Sequence, residues 1–174
     1  MDSDAIWNMP ELPLEWLLNH WNVTEDTSLA MSDDWGECHT PQGERCTNTG
    51  FIIAQQSDRT QEILRAWADC PSGEQFPGCE EWAQKRVYDQ AAFNEYLRNG
   101  YLEDGDLVRL SCGETDGSPG DGSGCEGVFI HHYWAWKEGV RSGFANTVMR
   151  SVTERLHSYF VDHRADLVEY QKPQ

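Results

Sequence analysis

Residues 2–17 read DSDAIWNMPELPLEWL, and what this opening stretch is decides what kind of fold follows. Asp2 and Asp4 are separated only by Ser3. In an extended segment alternate side chains point to the same side, so both carboxylates aim at one point while Ser3 turns away. Two convergent carboxylates make a hard-oxygen site for a divalent cation. The same residues also fit an ordinary exposed acidic N-terminus, so the rest of the chain has to separate the two.

Downstream, short strands alternate with helices. Pro13 sits in the first turn of a helix expected over residues 12–21, with Leu14, Trp16, Leu17, Leu18 and Trp21 as its apolar positions. Residues 27–31 (TSLAM) and 50–55 (GFIIAQ) are expected strands, the second a continuous apolar run of the kind buried on both faces. Ser57 or Asp58 caps a helix through Ala68 whose Ile63, Leu64 and Trp67 share a face. A further helix is expected over residues 80–98, with Val87, Ala91 and Tyr96 inward and Asn99-Gly100 as its stop. Strands at residues 107–110 and 128–130 flank CGETDGSPGDGSGC (112–125), a Gly-rich hairpin. It lacks the aspartate spacing and terminal Glu of an EF-hand, and a solvated turn is expected. A last helix over residues 143–164 carries Phe144, Val148, Val152, Leu156 and Phe160 at i+4 steps and is expected to pack on the rest. The alternation predicts an α/β or α+β domain.

Thirteen Lys and Arg against 30 Asp and Glu give a net charge of -17, which repels nucleic-acid backbones. A small phosphate-bearing ligand stays compatible if a metal ion supplies positive charge. No stretch reaches the roughly 18 apolar residues of a membrane span, and no signal peptide precedes Asp2. Cys38, Cys46, Cys70, Cys79, Cys112 and Cys125 form three pairs of sequence neighbours, each bracketing a Gly/Pro-containing loop. Pairing of neighbours is the simplest of the ~15 connectivities open to six cysteines. With the sequon Asn22-Val23-Thr24, the cysteines favour an oxidising, lumenal or extracellular compartment over a set of buried reduced thiols.

Four stretches then line up: DSDAIWNMPELPLEWL, TNTGFII (47–53), YDQAAFNEYL (88–97) and FIHHYWAWK (129–137). Their order and spacing resemble the catalytic half of type-A-fold glycosyltransferases, more narrowly the fungal and plant α-galactosyl, mannosyl and xylosyl transferase family and its nucleotide-diphospho-sugar transferase neighbours. The resemblance covers most of the chain up to Lys137. It implies a partial nucleotide-diphospho-sugar transferase domain of mixed sheet and helices over residues 1–140, with residues 141–174 as a helix and tail packing on it. It implies that Asp2 and Asp4 bind Mn²⁺, or Mg²⁺, with a late histidine: His132 by its distance to Lys137, or His131 under the spacing of some neighbouring families. Asn48 and Gly50 match an Asn-x-Gly turn near the sugar, Asp89 and Gln90 match a catalytic acidic-Gln pair opening a helix, and Trp134 stands where relatives often carry a small residue. Lys137 is positioned to meet the donor phosphates.

The physical logic is independent of the likeness. Glycosyl transfer from a nucleotide diphosphate leaves growing negative charge on the departing diphosphate, and a divalent cation stabilises it. The resemblance, for its part, implies a UDP- or GDP-sugar donor, a glycan or glycoprotein acceptor, a retaining outcome, and the Golgi lumen as the compartment of a full-length, membrane-anchored form. Because only Met1 precedes the aspartates, the nucleotide-binding half is expected to be missing, with a bare sheet edge and Ile6 and Trp7 poorly covered. The competing expectation is a non-catalytic, disulfide-stapled secreted domain that binds carbohydrate or another protein.

Overall fold

The computed structural model describes residues 1–36, 38–85, 88–120, 122, 124–134 and 136–164. In chain order these form β1 (Ala5–Trp7), α1 (Leu14–His20), β2 (Leu29–Asp33), β3 (Thr47–Ala54) and α2 (Asp58–Asp69). Two 3₁₀ turns (Cys70–Ser72 and Cys79–Ala83) precede α3 (Tyr88–Ala92), which runs into a π-helical segment, Phe93–Leu97. β4 (Leu107–Leu110), α4 (Cys112–Thr115), β5 (Ile130–His132) and α5 (Gly139–Asp162) complete the order. β2 is the centre of a mixed sheet, antiparallel to β3 and parallel to β4, while β1 and β5 pair antiparallel in a second, two-stranded sheet. The architecture is mixed α/β.

Consecutive residues of β2 divide between two cores. Ala30 joins Phe51, Leu110, Leu17, Trp21, Phe129 and Ile130 on one face, whereas Leu29 and Met31 meet Ile63, Phe93 and Leu97 on the other. A sheet covered on both faces explains the unbroken apolar run of β3. Each fully buried Leu, Ile or Phe contributes about 1.5–3 kcal/mol. α2 begins where its cap places it, with the Ser57 hydroxyl accepting from the Thr60 N–H. The bridges Cys38–Cys46, Cys70–Cys79 and Cys112–Cys125 join sequence neighbours as expected. They are compatible with the secretory pathway. Among the described residues no helix is long and apolar enough to cross a membrane.

Several expectations need correction. The helix over residues 80–98 is broken: the Asn94 amide is spent on β3, accepting from the Thr47 N–H and donating to the Thr47 carbonyl, both at 2.8 Å, and the Arg98 N–H reaches the Phe93 carbonyl at the wider i→i+5 spacing. Val87, one of its expected inward residues, lies outside the described residues, as does the tail 165–174. The hairpin over residues 112–125 does not form, because β4 pairs with β2 and β5 with β1, and Cys112–Cys125 closes a loop that opens with α4. The loop is solvated only at its tip, where Gly120, Gly122 and Gly124 are exposed, whereas Thr115 and Asp116 before it are fully buried. On α5, Phe144, Val148, Val152, Leu156 and Phe160 are exposed. An i+4 series drifts about 40° around the helix per step, so no single face gathers them. Ile6 is buried, not bare, because β1 contacts α5 as well as pairing with β5.

Candidate metal centre

The opening aspartates converge, though by a different device from strand alternation. Residues 3–4 form a turn closed by the Ala5 N–H donating to the Asp2 carbonyl (3.2 Å), and the strand starts only at Ala5. The Asp2 N–H donates to the Gly50 carbonyl (2.8 Å), which fixes the turn beside β3. β1 in turn pairs with β5, with Ala5 opposite His132. One ligand atom from each of Asp2, Asp4 and His132 therefore lies within 4.8 Å of the others, with Asp4 and His132 buried and Asp2 exposed. His132 Nε2 is 3.3 Å from Asp4 Oδ1 and 3.7 Å from Asp2 Oδ2.

The other ring nitrogen is equally committed: His132 Nδ1 lies 2.7 Å from Asp116 Oδ1. The His132 N–H donates to the Gly117 carbonyl (2.9 Å), and this bond holds the 116–117 segment alongside β5 with Asp116 behind the imidazole. Asp116 is 0% exposed, and its second oxygen has no partner among the described residues. Burial pushes the Asp116 carboxyl up to about 6 against the pull of His132 and with help from Asp34 and Asp2. Burial would lower His132, but the bond to Asp116 and the charges of Asp116, Asp4 and Asp2 outweigh it and raise the imidazole above its ordinary value. For Asp4, burial is outweighed by the hydrogen bond from Lys137 and the charge of His132, which hold its carboxyl below the ordinary range.

Gly50 makes room for this arrangement. A Cβ there would lie 2.3 Å from His132 Cε1 and 2.6 Å from Nδ1. The Asn-x-Gly stretch is not a turn but part of β3, where Asn48 Oδ1 accepts from the Gly50 N–H (2.6 Å). Lys137 Nζ sits 3.1 Å from Asp4 Oδ2. Trp134 stacks on Trp35, with ring centroids 4.7 Å apart and planes 13° from parallel, and its indole N–H finds no acceptor among the described residues. Asp89 and Gln90 stand on α3 outside the cluster: Asp89 borders an apolar groove with Trp67, Trp82 and Tyr88, while the Gln90 amide donates to Asp34 Oδ2. His131 faces away from the carboxylates, so the structure resolves the choice of which histidine joins them in favour of His132.

Sequence reasoning missed Asp116 and Asp34. The only trace of Asp34 is an Asp-Asp pair closing an apolar strand; Asp116 hides among glycines and serines that imitate a solvent loop.

The donor set suits a cation. Two carboxylates and an imidazole whose far nitrogen is fixed by a buried carboxylate are the outer-shell pattern of histidine ligation. Fold and site together define a disulfide-stapled mixed α/β protein with a carboxylate–imidazole cluster at its two-stranded sheet. Comparison with protein-family models, with curated proteins and with solved structures finds no match to this chain.

Proposed function

We propose that this chain forms the metal-binding, catalytic side of a glycosyltransferase that moves a sugar from a UDP- or GDP-sugar to a glycan or glycoprotein acceptor. The observation that carries this reading is the convergence of Asp2, Asp4 and His132 with Asp116 behind the imidazole. A bound Mn²⁺ or Mg²⁺ supplies positive charge that stabilises the departing diphosphate. The chain's own groups do the rest. Asp116 keeps the His132 proton on Nδ1 and leaves Nε2 free as a ligand atom. Lys137, exposed apart from its contact with Asp4, offers a mobile charge to phosphate oxygens. Gln90 and Asp34 tie α3 to the end of β2, which holds Asp89 at a fixed place relative to the sheet. The disulfides suit a Golgi-lumen enzyme.

Calorimetry of the chain with Mn²⁺ and UDP-galactose, UDP-xylose or GDP-mannose tests the proposal. Mn²⁺ alone is expected to bind weakly, because few carboxylates without substrate phosphates leave a divalent ion hydrated. One of the donors is expected to bind in a way that needs Mn²⁺ and disappears with chelator or with Asp4→Asn. Donor binding that survives both would overturn the metal mechanism, and a folded chain whose Mn²⁺ affinity is raised neither by any of the donors nor by inorganic pyrophosphate, the group every donor presents to the metal, would overturn the transferase reading.

A further inference from the structure

Successive residues of a strand point to opposite faces, so while His132 turns to the carboxylates, His131 lines a separate cavity of about 460 Å³ between β5 and the first half of α5. His131 from β5, Tyr133 just after it, and Ser142, Asn146 and Arg150 from α5 bring polar groups to it, while Asn8, which follows β1, borders it with its side chain spent on Val128, Thr147 and Arg150. None of Asp2, Asp4 and His132 borders it.

Two glycines shape this cavity. A Cβ at Gly139 would lie 2.5 Å from the Trp136 ring, and one at Gly143 would lie 2.0 Å from the Tyr133 hydroxyl. Both aromatic side chains therefore seat directly on the helix backbone, one turn apart. Tyr133 is 4% exposed, and its hydroxyl makes no hydrogen bond among the described residues; burial alone raises it. Trp136 is 55% exposed and presents an indole surface at the rim. Flat aromatic surface beside hydroxyl, amide and imidazole groups matches a sugar ring, which has apolar C–H patches and a rim of hydroxyls.

Arg150 adds a charge preference. Its guanidinium donates to the Asn8 carbonyl and to Asn8 Oδ1, and no carboxylate pairs with it among the described residues. In a chain of net charge -17, a half-buried guanidinium with no acidic partner among the described residues has the chemistry to take a ligand's anion. His131 lines the cavity beside it, with an imidazole edge that can hydrogen-bond a ligand.

We propose that this cavity binds one sugar residue carrying an anionic group, a carboxylate or a phosphate ester. Arg150 takes the charge, Trp136 the ring face, and Asn146 and Tyr133 the hydroxyls. The site works without metal and stands whether or not the transferase proposal holds.

The test is calorimetry of the whole chain in EDTA with methyl β-glucuronide, glucose 6-phosphate, methyl β-glucoside and inorganic phosphate. One of the two anionic sugars is expected to bind saturably, about tenfold or more tighter than both the neutral glucoside and inorganic phosphate. The tighter of the two identifies the anion. Arg150→Gln is expected to remove the preference over the glucoside. Asn146→Trp, at an exposed helix position, is expected to fill the cavity and remove binding with the thermal transition unchanged. The proposal is overturned if neither anionic sugar binds, if inorganic phosphate binds as tightly as they do, or if binding survives Asn146→Trp.

Discussion

His131 and His132 are neighbours on one strand, yet they live in opposite electrostatic worlds. His132 faces Asp2 and Asp4 with one nitrogen and Asp116 with the other, and its basicity rises. His131 faces Arg150 and the flank of α5, and its basicity falls. Identity and sequence position separate the two hardly at all; the pleat separates them completely. The comparison teaches that β5 is a partition, with a cation-attracting cluster on one side and a cation-bearing cavity on the other.

The largest expected effect tests whether the carboxylate face is a structural unit. Asp116→Ala strands a buried imidazole that has lost its partner, a change that costs about 3–5 kcal/mol when a buried pair is broken. It is also expected to weaken Mn²⁺ binding about 10- to 100-fold, as loss of an outer-shell partner does. His131→Ala, on the other face, is expected to leave Mn²⁺ affinity alone and to cost less than about 1 kcal/mol. Urea midpoints and metal titrations on both variants check this. Equal losses in the two would erase the distinction between the faces.

Gly50→Ala comes next and is subtler, because it adds a single methyl from the neighbouring sheet. That methyl would meet the His132 ring at 2.3 Å, so the imidazole must swing or β3 must yield. Overpacking of this kind costs about 1–3 kcal/mol. If the ring swings, Mn²⁺ affinity falls with stability; if the strand yields, stability falls alone and the cluster is sturdier than its contacts imply. The same substitution should leave anionic-sugar binding unaltered, since the cavity borders the other face.

How much of this was legible beforehand follows the range of the interactions involved. α2 was legible because its cap, its apolar stripe and its length are all local, and the disulfides because each joins cysteines close in sequence. α5 was legible as a helix but not as an exposed one, since the i+4 spacing says nothing about whether another element waits for those side chains. β5 begins two residues later than expected, a slip that keeps every side chain on its proper face. In the candidate site, Asp2, Asp4 and the histidine pair came from motif order. Asp116 did not, because its burial depends on the Gly117 carbonyl meeting the His132 N–H across a loop whose composition signals solvent. The Asn48 to Gly50 stretch misled in the opposite way: its residues favour turns, but the Asn48 side chain satisfies the Gly50 N–H within a strand.

The smallest effect is the most direct probe of the partition, and it concerns protons alone. His132, raised above its ordinary 6.5, binds protons more tightly folded than unfolded, so its contribution to stability is full below that value and is lost as pH rises through the folded one. Asp116, pushed up to about 6, acts in the same direction, favouring the folded state on acidification through that range. His131, lowered below 6.5, does the reverse: its folded form resists protonation, so stability is lost as pH falls from the unfolded value towards the folded one. The His132 loss lies above 6.5 and the His131 loss below it, where Asp116 opposes it, so a global denaturation curve is expected to fall on the alkaline side of 6.5 and to be partly cancelled on the acid side. Imidazole signals followed by NMR avoid the cancellation. The His132 midpoint is expected above the His131 midpoint, with the order intact in Arg150→Gln, because the Asp116 bond raises His132 from the other face. Mn²⁺ should then compete with the proton at His132 and leave the His131 curve where it was. Two imidazoles titrating together, or both moving with Mn²⁺, would mean that β5 does not insulate its two faces.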